Sequence, residues 1–134
     1  MGHYQAKRIR GVRLRVGDHV GELGRILSPL AEAHINVEAI NTFHLNDWAY
    51  VDILTNDNEK AEKLWERHGY HPEEFDLITI ELNNKAGELA AISTKLGQAG
   101  IDIRYLYTSA QGQEHPILLL STNNNEETLK LLKK

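Results

Sequence analysis

Gly17-Asp18-His19-Val20-Gly21-Glu22-Leu23 and, sixty-six positions further on, Asn83-Asn84-Lys85-Ala86-Gly87-Glu88-Leu89 decide how this chain is read. Each follows an alternating apolar segment, Val12/Leu14/Val16 or Ile78/Ile80/Leu82, and each opens a stretch with apolar residues at helical spacing. The same ungapped shift superimposes Tyr4 on Tyr70, Ile26 on Ile92, Leu30 on Leu96, Ile35 on Ile101, Thr42 on Thr108 and Val51/Ile53 on Ile117/Leu119. Near the end the shift becomes 67, where Asn58-Glu59 meets Asn125-Glu126 and Lys63-Leu64-Trp65 meets Lys130-Leu131-Leu132; one inserted loop residue accounts for it. The chain is therefore a small module written twice.

Within the first copy, the alternation of Val12, Leu14 and Val16 with Arg13 and Arg15 has the period of a half-buried strand. Leu23, Ile26, Leu27, Leu30 and Ala31 then define one helix face, in which Pro29 removes a backbone hydrogen bond to Arg25 and predicts a bend. Residues 35–44 return to extended character, Asn46-Asp47 predicts a tight turn, and residues 48–54 form the next strand. A second helix starts at Asn56–Glu59 with Ala61, Leu64 and Trp65 inward and His68 next on that row. A last strand over residues 70–75 would complete a split βαβ sheet. The second copy repeats strand (77–82), helix (Leu89, Ile92, Leu96, Ala99), strand (101–109), a Gln111-Gly112 turn, strand (116–121) and helix (124–133), and then has no residues for its last strand. Because Tyr4 aligns with Tyr70, residues 4–9 are the expected filler, the alternative being a loose tail. The expected organisation is a module at residues 10–75 and a module at residues 76–134 completed by residues 3–9.

Composition sets bounds around this. The chain has 134 residues, 41% hydrophobic and 25% charged, ordinary for a soluble globular protein, and a formal net charge of -4 that argues against a nucleic-acid partner. The basic stretch Lys7, Arg8, Arg10, Arg13, Arg15 reads as a solvated strand face. With no apolar run long enough to span a bilayer and no leader pattern after Met1, a cytoplasmic protein is expected. The absence of cysteine removes disulfides and thiolate chemistry.

The order of these motifs, with Leu30-Ala31-Glu32 and His34-Ile35-Asn36-Val37 closing the first helix and Leu96, Ala99-Gly100-Ile101-Asp102-Ile103 the second, resembles the ACT domain, the regulatory amino-acid-binding module of many enzymes of amino-acid metabolism. The resemblance covers almost the whole chain as a tandem pair, with Val20 and Ala86 where the family's loop usually carries proline. It implies an α+β fold of two ferredoxin-like βαββαβ modules with four-stranded antiparallel sheets, and small ligands held at interfaces between modules. By the same similarity the ligand positions are Asp18, Val20, Gly21, Glu22, Leu23 and Asn36 in the first copy, and Asn84, Ala86, Gly87, Glu88, Leu89 and Asp102 in the second. Glycines 21 and 87 would allow close backbone approach, and the following helix N-termini present N–H groups to a carboxylate. The bland reading of Asp18 and Asn84 is that they satisfy those N–H groups themselves, and Glu22 and Glu88 carry charge that competes with a carboxylate.

Other chemistry is poorly supported. Seven histidines invite a metal, yet no pair has i, i+4 helical spacing and thiolate partners are absent. Ser28, Ser93, Ser109 and Ser121 lack a nucleophile-elbow context and there is no phosphate-cradling loop, so no catalytic residue, metal or cofactor is expected. Tyr105 and Tyr107 fall on the inward phase of a strand and are expected to fill the core or an interface. Leu106, Leu118 and Leu120 are expected to make the opposite face of the second copy apolar, which predicts at least a homodimer. The functional expectation is a non-enzymatic regulator that binds an amino acid and modulates a partner enzyme. The alternative is an interaction subunit resembling the regulatory subunits of acetohydroxyacid synthase, with little or no ligand binding.

Overall fold

The computed structural model describes residues 4–83, 85–109 and 116–133. In chain order the elements are β1 (Gln5–Gly17), α1 (Glu22–Glu32), β2 (Val37–Leu45), β3 (Trp48–Thr55), α2 (Asn58–Arg67), β4 (Glu73–Glu81), α3 (Glu88–Gln98), β5 (Ile103–Thr108), β6 (Ile117–Thr122) and α4 (Asn125–Lys133). The chain divides into two compact units, residues 10–75 and residues 1–9 with 76–134. β1 therefore changes unit after Ile9 and β4 after Phe75. Each unit is an α+β, ferredoxin-like module of four antiparallel strands and two helices.

In the unit 10–75 the strand order is β2-β3-β1-β4. Cα partners Val12↔Ile53, Leu14↔Val51 and Val16↔Ala49 put the alternating apolar residues on one face, where they meet Ile26, Leu30, Ala61 and Trp65 from the two helices. Trp65 is fully buried, and its indole N–H donates to the Ile26 carbonyl at 2.9 Å, tying α2 to α1 without leaving a buried donor unsatisfied. α2 starts at an Asp57 cap whose side chain accepts from the Lys60 N–H. The Leu45↔Trp48 pair closes the β2–β3 hairpin over a two-residue turn in which Asn46 has φ 59°, a conformation that asparagine tolerates well.

Three inward assignments change. Pro29 is itself buried beside Ile26 and Leu30, whereas Ala31 is exposed and Leu23 is 40% exposed. The buried face thus runs through positions 26, 29 and 30, an i, i+3, i+4 set that excludes position 31. His68 is exposed and lies with Nδ1 2.8 Å from the Leu64 carbonyl at the end of α2. Residues 70–72 are loop rather than strand, and β4 runs without a break from Glu73 to Glu81 across the expected module boundary.

The other unit orders its strands β1-β4-β6-β5. Its fourth strand is the N-terminal part of β1: Ala6 is buried in the core with Ile78, Ile80, Ile92, Leu96 and Leu132, and the Tyr4 N–H donates to the Leu132 carbonyl at 3.1 Å. The equivalent bond in the first unit runs from the Tyr70 N–H to the Trp65 carbonyl at 3.0 Å, so the duplicated positions make duplicated contacts. Gln111, Gly112 and His115, like His3, lie outside the described residues.

Strand pairing moves the point at which the repeat slips. Val12↔Ile53 corresponds to Ile78↔Leu120, and Leu14↔Val51 to Ile80↔Leu118, so the 67-residue shift is already in force through β6. Ser109 still matches Phe43 at the 66-residue shift, which places the inserted residue between β5 and β6. Three expectations are corrected as a result. Leu118 and Leu120 are fully buried core residues and make no exposed apolar face. The counterpart of Asp52 is Leu119, not Leu118. Tyr105 and Tyr107 share the face of Leu119 through the Tyr107↔Leu119 pair, away from the helix-side core, where they are half-buried and edge to face at 5.3 Å.

The basic stretch of β1 is largely neutralised. Within their own units Arg8 reaches Asp76 at 2.9 Å, Arg10 reaches Glu74 at 2.8 Å, and Arg13 forms a two-pronged bond to the buried Asp52 at 2.6 and 2.8 Å. No helix among the described residues is long and apolar enough to cross a membrane.

Candidate functional site

The loop from Gly17 to Gly21 joins the end of β1 to the start of α1. Gly21 occupies the N-cap position at φ 85°, and Gly87 repeats this at φ 85° before α3. A side chain on a residue in this left-handed region costs roughly 1–2 kcal/mol. Nothing lies within 4 Å of where a Cβ would stand on either glycine, so backbone conformation, not close approach within the chain, is what requires them. Neither helix start has a side-chain cap. Asp18 is turned away from the helix, 55% exposed, with Oδ2 3.4 Å from His44 Nδ1.

A cleft of about 270 Å³ opens beneath this loop. Asp18, His19, Gly21, Glu22 and Leu23 form one wall, Thr42 and His44 of β2 the other, and Val16, Ile26, Ala49 and Val51 the floor. A neutral floor with polar groups at the rim suits a small ligand with a short apolar part. Val20 is 99% exposed beside the cleft and does not line it.

Glu22 stands in the first turn of α1 but directs its carboxylate to internal partners. The Tyr70 hydroxyl donates to it at 2.7 Å and Arg25 at 3.0 Å. The Tyr70 bond first, and Arg25 second, hold the Glu22 carboxyl below the ordinary carboxylate range against the opposing effect of burial. Burial and the facing Glu22 carboxylate push the Tyr70 phenol up to about 12. Glu22 is thus a negative charge already satisfied by a donor and a cation, which lessens its repulsion of an anion at the helix start.

In the second unit Gly87, Ala86 and the 41%-exposed Leu89 occupy equivalent places. Glu88 folds back, accepting from the Asn83 N–H at 2.7 Å, while Asn84 lies outside the described residues.

Asn36 and Asp102 are not brought to these loops. Each follows the C-terminal end of the helix that its glycine begins, and eleven residues of α-helix separate the two ends by about 16 Å. Their backbones are pinned elsewhere: the Asn36 N–H donates to Asn56 Oδ1 at 3.0 Å and the Asn56 N–H returns to the Asn36 carbonyl at 3.1 Å, and Asp102 does the same with Asn123. Each module therefore holds the two sets of expected residues at opposite ends of one helix.

Sequence reasoning missed Thr42, His44 and His19 as cleft residues and Tyr70 as the partner of Glu22. The alignment of Thr42 with Thr108 was a visible signal; His44 and His19 have no repeat to mark them. Arg25, Ser28 and Glu32 with His68 and Tyr70 border a second, wider groove of about 580 Å³ along the outer side of α1. Ser28 there donates to the Gly24 carbonyl and Arg25 is engaged with Glu22, so fewer of its polar groups remain for a ligand. Among the described residues no three His, Asp or Glu side chains gather as a metal site would require.

A family model described as an ACT domain pair matches residues 8–134. Among solved structures, the protein BT0572 from Bacteroides thetaiotaomicron superimposes with a TM-score of 0.87 at 22% identity, covering 96% of this chain and 88% of that one. The regulatory subunit of aspartate kinase from Thermus thermophilus, in its ligand-free form, superimposes with a TM-score of 0.64 at 13% identity, covering 95% and 93%. At these identities the likeness is one of fold. No curated protein sequence matches the chain significantly.

Proposed function

This chain belongs to the ACT domain pair family, and from that premise we propose that it is a non-enzymatic regulatory protein that binds a small ligand, an amino acid, and modulates a partner such as a metabolic enzyme. The observation that carries the proposal is the cleft under residues 17–23, where a neutral floor, uncapped helix N–H groups and the internally satisfied Glu22 leave room for a carboxylate. Asp18, Gly21, Glu22 and Leu23 form this half-site, with Val20 at its rim; Ala86, Gly87, Glu88 and Leu89, with Asn84, are proposed for the repeat. Asn36 and Asp102 enter the proposal as the amino-group partners offered by a module of a second copy of the chain, since their own helices hold them away from their own loops.

A ligand held this way transmits a signal only if it binds one arrangement of modules better than another. A homodimer or higher homo-oligomer is part of the same reading, supported by the edge positions of β2 and β5 and by exposed Val20, Leu23 and Leu45. So is a cytoplasmic location, where metabolic amino acids are at hand.

Thermal unfolding in the presence of each proteinogenic amino acid tests the proposal. Selective stabilisation that is lost when Asp18→Ala and Leu23→Ala are combined is the expected result. A flat response, with an enzyme co-purifying, would instead favour the interaction subunit resembling those of acetohydroxyacid synthase. Sedimentation as a strict monomer at micromolar concentration would remove the homodimer.

A further inference from the structure

On the sheet face away from the helices, the unit 10–75 carries a further cleft of about 270 Å³, lined by Arg13, Arg15, Tyr50, His71 and Glu73. Its charges are not all equivalent. Arg13 is spent on the fully buried Asp52, to which it is bound through two nitrogens, and its guanidinium is packed 4.9 Å from the Phe75 ring centre and 5.9 Å from that of Phe43. Arg15 makes no ion pair among the described residues; its guanidinium lies 4.4 Å from the Trp48 ring centre. Stacking engages the flat face of a guanidinium and leaves its N–H edge for a planar acceptor. Glu73 faces the same cleft, likewise without an ion-pair partner among the described residues. Apart from the paired Arg13, and with His71 beside them, the cation Arg15 and the anion Glu73 thus line a single cavity without an ion pair between them, next to an aromatic wall made by Tyr50 stacked on Phe43 at 5.2 Å.

We propose that this cleft, separate from the loop cleft of the proposed function, binds a small zwitterion, a free α-amino acid, with its carboxylate on Arg15, its ammonium on Glu73 and its side chain against Tyr50. A simple anion would meet Glu73 and a simple cation would meet Arg15; a molecule carrying both charges satisfies the two at once. The equivalent positions of the other unit hold Thr79, Glu81, Ile117, Gln5 and Lys7, an inverted and less aromatic set, so the site belongs to one module.

The test uses the full chain and three forms of each probe: the free amino acid, its N-acetyl derivative and its carboxamide. Trp48 supplies a local signal, because the other tryptophan, Trp65, is fully buried. The expected result is binding of a free amino acid that changes Trp48 fluorescence, fails with both blocked forms, and weakens about tenfold or more in Arg15→Gln and in Glu73→Gln, with partial recovery in Arg15→Lys. Both residues are exposed and neither lines the loop cleft, so these variants fold and keep that cleft's lining intact. Binding that survives Arg15→Gln and Glu73→Gln but is lost in the loop variant Asp18→Ala/Leu23→Ala overturns this site and keeps the loop reading; equal binding of the blocked forms, or no binding of any free amino acid, also overturns it.

Discussion

Asp52 and Leu119 occupy the same place in the two modules, in the third strand of each sheet on the side away from the helices, and both are fully buried. The first needs Arg13 beside it; the second sits beside Thr79 and needs no partner. One architecture thus tolerates either a charged pair or an aliphatic side chain at a buried position of its sheet. The glutamates that open α1 and α3 diverge in the same way: Glu22 is tied to Tyr70 across 48 residues, whereas Glu88 closes its own loop on Asn83 although Tyr4 stands in the place of Tyr70. Duplication preserved the backbone, φ 85° at both glycines included, and the paired bonds that follow each helix, while the contacts of these two positions diverged.

The comparison can be broken most severely by removing residues 1–9. The unit containing residues 76–134 loses its fourth strand, buried Ala6 and the Tyr4–Leu132 bond, and is expected to lose more than about 3 kcal/mol, while the unit 10–75 keeps its own sheet. Hydrogen exchange resolved by segment checks this: protection should collapse in residues 76–133 first, and uniform protection would refute it. Next in size, Arg13→Ala leaves Asp52 buried without its cation and should destabilise by about 3 kcal/mol in urea unfolding. Arg13→Thr with Asp52→Leu, which copies the other module, should return to within about 1 kcal/mol of the parent; a double variant as weak as the single would show that the two modules are not interchangeable there.

Smaller effects sharpen the picture. Gly21→Ala and Gly87→Ala should each cost roughly 1–2 kcal/mol and by similar amounts, since both glycines share one conformation and open surroundings. Unequal costs would indicate a constraint on one loop alone. Tyr70→Phe should cost about 1 kcal/mol at neutral pH and Tyr4→Phe much less. Glu22 has a lowered folded pKa, so its contribution is present above its ordinary value of 4.5 and disappears as pH falls through the depressed one. Without the Tyr70 hydroxyl that acid limb should flatten. Tyr70 behaves oppositely: raised to about 12, it stabilises below its ordinary value near 10 and loses that effect as pH rises through the higher one.

Why the modules were legible, and their register was not, follows from where the signals lie. Alternation in Val12–Val16 and Ile78–Leu82, helical spacing after each Gly-Glu-Leu, and the Tyr4/Tyr70 match are local patterns repeated twice, and they sufficed for the fold and for the strand supplied by the N-terminal residues. The inserted residue falls between β5 and β6, and Ile117-Leu118-Leu119-Leu120 is apolar at every position. A strand without alternation reveals nothing about which side faces inward, so only pairing with Ile78 and Ile80 decides it. Likewise only the family resemblance groups Asn36 with the glycine loop, and within one module the length of α1 separates them.

The hydrogen bond from Tyr4 to Leu132 has a consequence for how the molecule can be taken apart. No single cut releases two whole modules, because a cut after Phe75 leaves residues 76–133 without the strand that the other fragment carries away. Joining the chain near Leu132 to the chain near Tyr4 through a short bridge, and opening it between β4's two halves, would make each module contiguous for the first time. Such a rearranged chain would pass from one module to the next once, within β1, where the present chain passes twice.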